Sequence, residues 1–195
     1  MMGKETAGRI GQEYYDGSDY FDAQSHLVDP NSPFHQYRLR EVLRLAQPKP
    51  EDRAVDIGCG WGTITFGIAP HVKHVLGVDF SQRSVDFCEE RRTNGQGGEA
   101  PERVTFLRAD GGDTGLDAET FDLAVAADLF EHLYPEDTER VCAEAFRLLA
   151  PGGRFAVWTP HRGHILEVLK NNDVLLKRDP SHVDYKSMGR VRGYL

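Results

Sequence analysis

Three glycines at alternate positions mark the stretch whose residue types best suit the binding of a ligand. Gly58, Gly60 and Gly62 follow an apolar run at 54–57 and precede a predicted helix. Glycine lets a ligand approach the backbone without a Cβ in the way, and the N-terminus of a helix presents free N–H groups. An apolar strand, a glycine turn and a helix in this order are suited to an adenosine-containing ligand.

An acidic residue follows the glycine turn at the sequence spacing of a ribose-binding acid. Asp79 ends a second apolar run, at 75–78, and lies about 21 residues after Gly58, where an acid hydrogen-bonds a ribose in doubly wound sheets. The glycine spacing is GxGxG, and Thr63 stands where the dinucleotide fingerprint GxGxxG requires its third glycine. Thr63 therefore argues against a nicotinamide-dependent oxidoreductase, which is the nearest alternative for such a turn.

The elements that must position these residues are strands alternating with helices. Strands are predicted at 53–57, 74–78, 104–108, 121–126 and 154–159, and helices at 33–46, 62–70, 82–94, from 135 to 150, at 163–177 and from 188. Serines at 32, 81 and 187 are predicted to cap three of the helices. This alternation predicts a parallel sheet with right-handed crossovers.

Five separate features occur in an order typical of one family. They are the glycine turn, Asp79, a third acid at Asp110, the stretch FDLAVAADLFEHL at 121–133 and the stretch LLAPGGRF at 148–155. Together they resemble the class I S-adenosylmethionine-dependent methyltransferases over most of residues 38–160. The resemblance implies an α/β fold, a Rossmann-like doubly wound sheet of strand order 3-2-1-4-5, with S-adenosylmethionine across the carboxyl ends of the strands.

The chain departs from the family after residue 160. The family adds a hairpin of two further strands beside strand five, and no stretch here is predicted to supply them. Strand five would then be an apolar edge, which is an aggregation hazard unless it is covered. We therefore expect a C-terminally shortened chain, or an edge covered by its own helices, by a second copy in a homo-oligomer or by a partner.

The resemblance implies roles for particular residues at the cofactor. Asp79 accepts from the ribose hydroxyls, Phe80 packs against adenine, and Asp110 accepts from the adenine amino group. The other expected contacts are Ala109 and Gly111 in the adenine slot, Gly58, Cys59, Gly60 and Gly62 beside the methionine and ribose portions, Asp56 at the methionine amine, Arg38 at the methionine carboxylate, and Asp128 and Leu129 beside the sulfonium.

Two of these residues have an alternative that the sequence leaves open. Arg38 lies on the predicted helix at 33–46, where a surface ion pair with Glu41 or another neighbour is an equally good interpretation. Asp128 follows strand four, where an acid also serves as a helix cap.

Methyl transfer is an in-line displacement on a sulfonium, so the protein mainly positions the acceptor and excludes water. His132 follows strand four and His161 follows strand five, and histidine is the usual general base near neutral pH. Glu131 is a weaker candidate for the base. No metal site is predicted, because only the HRGH pair at 161–164 has close spacing among the later histidines.

Length, charge and cysteine content limit the partners, the cellular location and the domain organisation that the sequence allows. The 195 residues carry a net charge of -8 without a dense Lys/Arg block, which argues against nucleic acid and anionic membranes as partners. The sequence shows neither a signal peptide nor an apolar run that could span a membrane, and its three cysteines form no disulfide framework. These features predict a cytoplasmic protein with an N-terminal arm or lid at 1–31 and one methyltransferase domain at 32–195.

The sequence therefore predicts methyl transfer from S-adenosylmethionine to a small-molecule acceptor, with a hydroxyl slightly favoured because of the candidate histidine bases. The stretch after strand four lacks the Asn/Asp-Pro-Pro-aromatic sequence of the branch that methylates amino groups of nucleobases and glutamine. The alternative is a cofactor-binding regulatory or partner subunit without transferase activity.

Overall fold

A five-stranded parallel sheet with helices on both faces forms the centre of the molecule. The computed structural model describes residues 10–17, 32–159 and 181–195. The strands are β1 (Arg53–Ile57), β2 (His74–Asp79), β3 (Val104–Arg108), β4 (Phe121–Ala127) and β5 (Leu149–Trp158). Their order is β3-β2-β1-β4-β5, which confirms the predicted 3-2-1-4-5 sheet.

The helices follow the predicted alternation closely. They are α1 (Gln12–Asp16), α2 (Pro33–Ala46), α3 (Thr63–Ile68), α4 (Gln82–Thr93), α5 (Pro135–Leu148) and α6 (Met188–Tyr194). Short 3₁₀ helices span Ala69–His71, Pro101–Arg103 and Phe130–His132. The side chains of Ser32, Ser81 and Ser187 accept from backbone N–H groups at the starts of α2, α4 and α6, so all three predicted caps are confirmed.

The position of β1 explains where a ligand site forms. This strand is buried after its first residue and pairs with β2 on one side and β4 on the other. Apolar side chains on its two faces belong to two separate core clusters, one on each side of the sheet. The chain order reverses between β1 and β4, and in open α/β sheets the crevice at such a switch point binds ligands.

One strand boundary was predicted wrongly. β5 begins at Leu149 rather than Arg154, because Pro151, Gly152 and Gly153 continue the strand past an irregularity in its register with β4. In α6, Val191 is buried, whereas Met188 at its start and Leu195 just after its end are about half exposed.

Several predictions lie outside the described residues. They concern His161, the HRGH pair at 161–164, the helix at 163–177 and the part of the arm that contains Tyr20 and Phe21. Within the described part of the chain, no helix is long and apolar enough to cross a membrane.

Candidate active site

The glycine turn is held against the end of β2. The backbone N–H groups of Gly58 and Cys59 donate to the Val78 carbonyl at 2.8 and 3.0 Å. Gly58 has φ +74°, and a Cβ built on it would lie 2.7 Å from Cδ1 of Leu129. Both the left-handed backbone and the close approach of Leu129 therefore require glycine at this position.

Asp79 is fixed by the backbone around it. Its two carboxylate oxygens accept from the N–H groups of Gly60 and Ser81, each at 2.9 Å. Burial raises the pKa of Asp79, and these two hydrogen bonds oppose that rise. The carboxylate is thus oriented at the tip of β2, in the position predicted for the ribose.

Asp56 is a fully buried acid beneath the glycine turn. It accepts a hydrogen bond of 2.6 Å from Oγ1 of Thr65 on α3, a partner that the sequence did not suggest. Burial raises the pKa of Asp56 to about 6, against the effects of Thr65 and of the positive charge of Arg38. Such a group binds a nearby cation when deprotonated, which fits the role predicted for it at the methionine amine.

Arg38 and Asp128 form an ion pair across the end of the sheet. Nη1 of Arg38 lies 2.6 Å from Oδ2 of Asp128, and the two side chains are 14% and 24% exposed. Glu41 instead pairs with Arg44, so the surface pair of Arg38 with Glu41 was wrong. The helix cap at Asp128 was also wrong, because the following 3₁₀ helix has Leu129 at its N-cap and no side-chain cap.

Asp128 adopts a backbone conformation that is uncommon for a residue with a side chain. Its φ is +54°, and its N–H donates to the Trp158 carbonyl at 2.8 Å. Nε of Arg38 is buried and has no hydrogen-bond partner among the described residues. A buried guanidinium N–H of this kind suits an anionic ligand group such as a carboxylate.

The side chains predicted to contact adenine are more exposed than Asp79, which is predicted to contact the ribose. Phe80 is 37% exposed, and its ring meets that of Tyr15 edge-on at 5.2 Å. Asp110 is 57% exposed and accepts from N–H of Gly112 at 2.8 Å and from Nη2 of Arg140 at 2.9 Å. The sequence analysis missed Arg140, which holds the Asp110 carboxylate from α5.

The loop after β4 contributes the candidate bases to the same cavity. Glu131 is buried and accepts from Oγ1 of Thr159 at 2.9 Å. Nδ1 of His132 lies 3.1 Å from the Ser181 carbonyl and 3.4 Å from the Tyr15 hydroxyl. The ring of His182 packs edge-on against that of His132 at 4.8 Å.

One cavity of about 1420 Å³ connects these parts. Twelve predicted site residues line it: Arg38, Asp56, Gly58, Cys59, Gly60, Asp79, Phe80, Asp110, Gly111, Asp128, Leu129 and His132. Gly62 and Ala109 do not line it. The cavity exceeds the usual range of about 300–1,000 Å³ for a single ligand, so it has room for two ligands side by side.

Replacement of Asp56 by asparagine is expected to stabilise the protein at neutral pH. A pKa raised from 3.8 to about 6 means that the folded state favours the protonated acid, so its contribution to stability is lost as pH rises through about 6. Asparagine carries no charge and can still accept from Thr65. Urea unfolding should show a free energy of unfolding about 2 kcal/mol above wild type at pH 7.5, and little difference below pH 4.

Asp86 on α4 is exposed and provides the control. Asp86→Asn should follow the wild-type pH dependence. If Asp56→Asn lost stability at pH 7.5, the assignment of an unfavourable buried charge to Asp56 would be contradicted.

The sequence matches a protein family at the residues that build this site. A family model described as "Methyltransferase domain" matches residues 54–153, which contain the glycine turn, Asp79, Asp110 and Asp128. The chain therefore belongs to the methyltransferase domain family, the class that uses S-adenosylmethionine as its cofactor.

Curated relatives cover most of this chain. It is 30% identical over 175 residues to cyclopropane-fatty-acyl-phospholipid synthase of Escherichia coli K12, covering 82% of this chain and 42% of that protein. It is 33% identical over 148 residues to nocamycin O-methyltransferase of Saccharothrix syringae, covering 72% and 49%. The chain thus spans less than half the length of these relatives.

Solved structures support the same fold at lower identity. The protein PH0226 of Pyrococcus horikoshii has a TM-score of 0.72 at 18% identity, with 91% of this chain and 88% of that chain covered. Phospholethanolamine N-methyltransferase 2 of Haemonchus contortus, in complex with phosphomonomethylethanolamine and S-adenosylhomocysteine, has a TM-score of 0.70 at 21% identity, with 93% of this chain and 41% of that chain covered. These likenesses concern the fold alone.

Proposed function

We propose that this chain transfers the methyl group of S-adenosylmethionine to a small molecule with an apolar body, and that the favoured acceptor group is a hydroxyl. The observation that carries the proposal is a cavity lined both by Asp79, the proposed ribose acceptor, and by His132, the proposed base. A cofactor and an acceptor that share one cavity can meet for an in-line displacement with water excluded.

The described contacts support a specific placement of the cofactor. Asp79 accepts from the ribose hydroxyls, and Asp110, held by Arg140, accepts from the adenine amino group. Arg38 takes the methionine carboxylate and Asp56 the amine, because both line the cavity, Arg38 with its side chain 14% exposed and Asp56 buried. Asp128 and Leu129 then lie beside the sulfonium.

We infer the apolar body of the acceptor from the exposed apolar side chains that line the cavity. Its lining includes five large apolar side chains that are each about half exposed: Phe34, Tyr37, Leu45, Met188 and Leu195. Exposed apolar surface concentrated at one opening is typical of a binding site for apolar ligands. The names of two relatives, a cyclopropane-fatty-acyl-phospholipid synthase and a sterol 4-C-methyltransferase, accord with such an acceptor.

His132 is the proposed proton acceptor for the reaction. The acceptor oxygen attacks the methyl carbon, the carbon–sulfur bond breaks, and the hydroxyl proton passes to the imidazole; S-adenosylhomocysteine leaves as the second product. With Nδ1–H donating to the Ser181 carbonyl at 3.1 Å, the lone pair lies on Nε2, which is the tautomer that accepts a proton there.

The proposal is tested by methyl transfer from labelled S-adenosylmethionine to matched phenols that differ only in the length of an alkyl chain. We expect labelled product from the long-chain phenol, with kcat/KM at least about 10-fold above that of the unsubstituted phenol, as the burial of several CH₂ groups allows. Equal values would contradict the apolar body. Binding of S-adenosylhomocysteine without turnover on any acceptor would favour the regulatory-subunit alternative.

His132→Gln is expected to lower kcat about 100-fold or more while leaving the affinity for S-adenosylhomocysteine unchanged, because a general base acts on the chemical step. Glutamine retains a side-chain N–H for the Ser181 carbonyl. His71 is exposed and does not line the cavity, so His71→Gln provides the control. Unchanged kcat in His132→Gln would remove His132 from the reaction.

A further inference from the structure

The loop after β4 and the segment before α6 bring three metal-binding side chains together. Glu131, His132 and His182 each offer one ligand atom, and these atoms all lie within 4.8 Å of one another. All three residues line the cavity. His182 is 50 residues from His132 in sequence, so the spacing of the chain alone did not indicate this set.

Hydrogen bonds to backbone carbonyls of residues 130–133 hold the segment that contains His182. The N–H groups of Val183 and Asp184 donate to the Glu131 carbonyl at 2.9 and 3.2 Å. Nζ of the buried Lys186 donates to the carbonyls of Phe130 and Leu133. The segment that carries His182 is therefore fastened to the 3₁₀ helix that carries the other two ligands.

Each of the three side chains also has a hydrogen-bond partner that would orient it for binding a metal ion. Nδ1 of His132 faces the Ser181 carbonyl at 3.1 Å, and Nδ1 of His182 faces the Tyr185 hydroxyl at 2.6 Å. Metal-binding histidines characteristically donate one ring N–H to such an oxygen, which places the lone pair on the other nitrogen. Glu131 is oriented in the same way, by Thr159 at one carboxylate oxygen.

We propose that Glu131, His132 and His182 form a binding site for a divalent transition-metal cation, with Zn²⁺ as the best-matched ion. Two imidazoles and a carboxylate are a known Zn²⁺ ligand set that keeps a fourth position open, whereas Mg²⁺ and Ca²⁺ prefer oxygen ligands. Ligands about 2.1 Å from a tetrahedral ion lie about 3.4 Å apart. The ligand atoms here lie within 4.8 Å of one another, so binding would draw the most distant pair together by up to roughly 1.4 Å.

Two ion pairs lie beside this set among the described residues. The buried Lys186 ammonium lies 3.4 Å from the carboxylate of Asp184. Asp184 also pairs with Arg190 at 2.9 Å. The Glu131 carboxylate therefore supplies the negative charge that faces the ion.

A cation here changes the role of His132 from proton acceptor to ligand. Because all three ligand residues line the cavity, an acceptor hydroxyl held there could take the fourth position of a bound ion, and the positive charge would then lower the pKa of that hydroxyl. This consequence rests on the proposed methyl transfer; the binding of the ion does not.

The test is a titration of the tag-free full chain, stripped of metal with a chelator, with Zn²⁺ by calorimetry and with Co²⁺ by visible absorption. We expect about one ion per chain with a Kd of about 10 µM or tighter, and no binding of Mg²⁺ under the same conditions. His182→Gln and Glu131→Gln should each weaken Zn²⁺ binding at least about 10-fold. Folding of each variant is checked by its unchanged affinity for S-adenosylhomocysteine.

His71→Gln is the matched control and should bind Zn²⁺ as wild type does. The assignment is overturned if wild type binds no Zn²⁺, or if His182→Gln binds it with unchanged affinity. Loss of binding only in a variant of the HRGH pair at 161–164 would also overturn it. Because the readout is metal binding, failure here leaves the tests of methyl transfer unaffected.

Discussion

Replacement of Asp79 by alanine should weaken the binding of S-adenosylhomocysteine about 100-fold or more. The variant removes the carboxylate proposed to accept from both ribose hydroxyls, and charge-assisted hydrogen bonds of this kind contribute about 1.5–3 kcal/mol each. It also removes the acceptor for the N–H groups of Gly60 and Ser81, so the glycine turn loses its anchor at the tip of β2. Calorimetric titration measures the change directly.

Two further variants separate recognition of the ribose from folding. Asp79→Asn retains an oxygen for one backbone N–H but not the charge, and we expect an intermediate loss of affinity of about 10-fold. Asp86→Ala removes an exposed acid of α4 and should bind as wild type does. Wild-type affinity in Asp79→Ala would contradict the placement of the ribose at this carboxylate.

Gly58→Ala should both destabilise the protein and weaken cofactor binding. At φ +74° an alanine incurs about 1–2 kcal/mol of backbone strain, and its Cβ would lie 2.7 Å from Cδ1 of Leu129. Displacement of Leu129 adds a packing cost of about 1–3 kcal/mol. We expect a total loss of about 3 kcal/mol in the free energy of unfolding, and a loss of affinity for S-adenosylhomocysteine of about 10-fold or more.

Gly95→Ala is a control with nearly the same backbone conformation. Gly95 has φ +73°, but a Cβ there would meet nothing within 4 Å, so only the strain term applies. The difference between the two variants therefore isolates the contact with Leu129. Truncation of Leu129 to alanine in the Gly58→Ala background should recover part of the lost stability. Equal losses in Gly58→Ala and Gly95→Ala would contradict this account.

The fold followed from patterns that are local in sequence. Apolar runs bounded by glycines and capped helices predicted all five strands and a parallel sheet, whereas the order of the strands came from the family resemblance. Asp79 and the glycine turn were predictable for the same reason, since the tip of a strand and the turn after it are set by neighbouring residues. The start of β5 was missed because Pro151, Gly152 and Gly153 are typical of turns, yet here they continue an irregular strand.

The partners of the site residues were not predictable, because they come from distant parts of the chain. Arg38 meets Asp128 across 90 residues, and His132 meets the Ser181 carbonyl across 49. No periodicity or spacing encodes such contacts; they arise from how helices pack over the sheet. The same holds for the apolar mouth of the cavity, whose residues come from both α2 and the C-terminal helix α6 and its end.

The most direct test of the central claim is a calorimetric titration of the wild-type chain with S-adenosylhomocysteine and, separately, with NAD⁺. We predict one site for S-adenosylhomocysteine with a Kd of about 100 µM or tighter, and no binding of NAD⁺. Binding of NAD⁺ in place of S-adenosylhomocysteine would contradict the interpretation of the Gly58–Gly62 turn and of Asp79 on which the proposed methyl transfer depends.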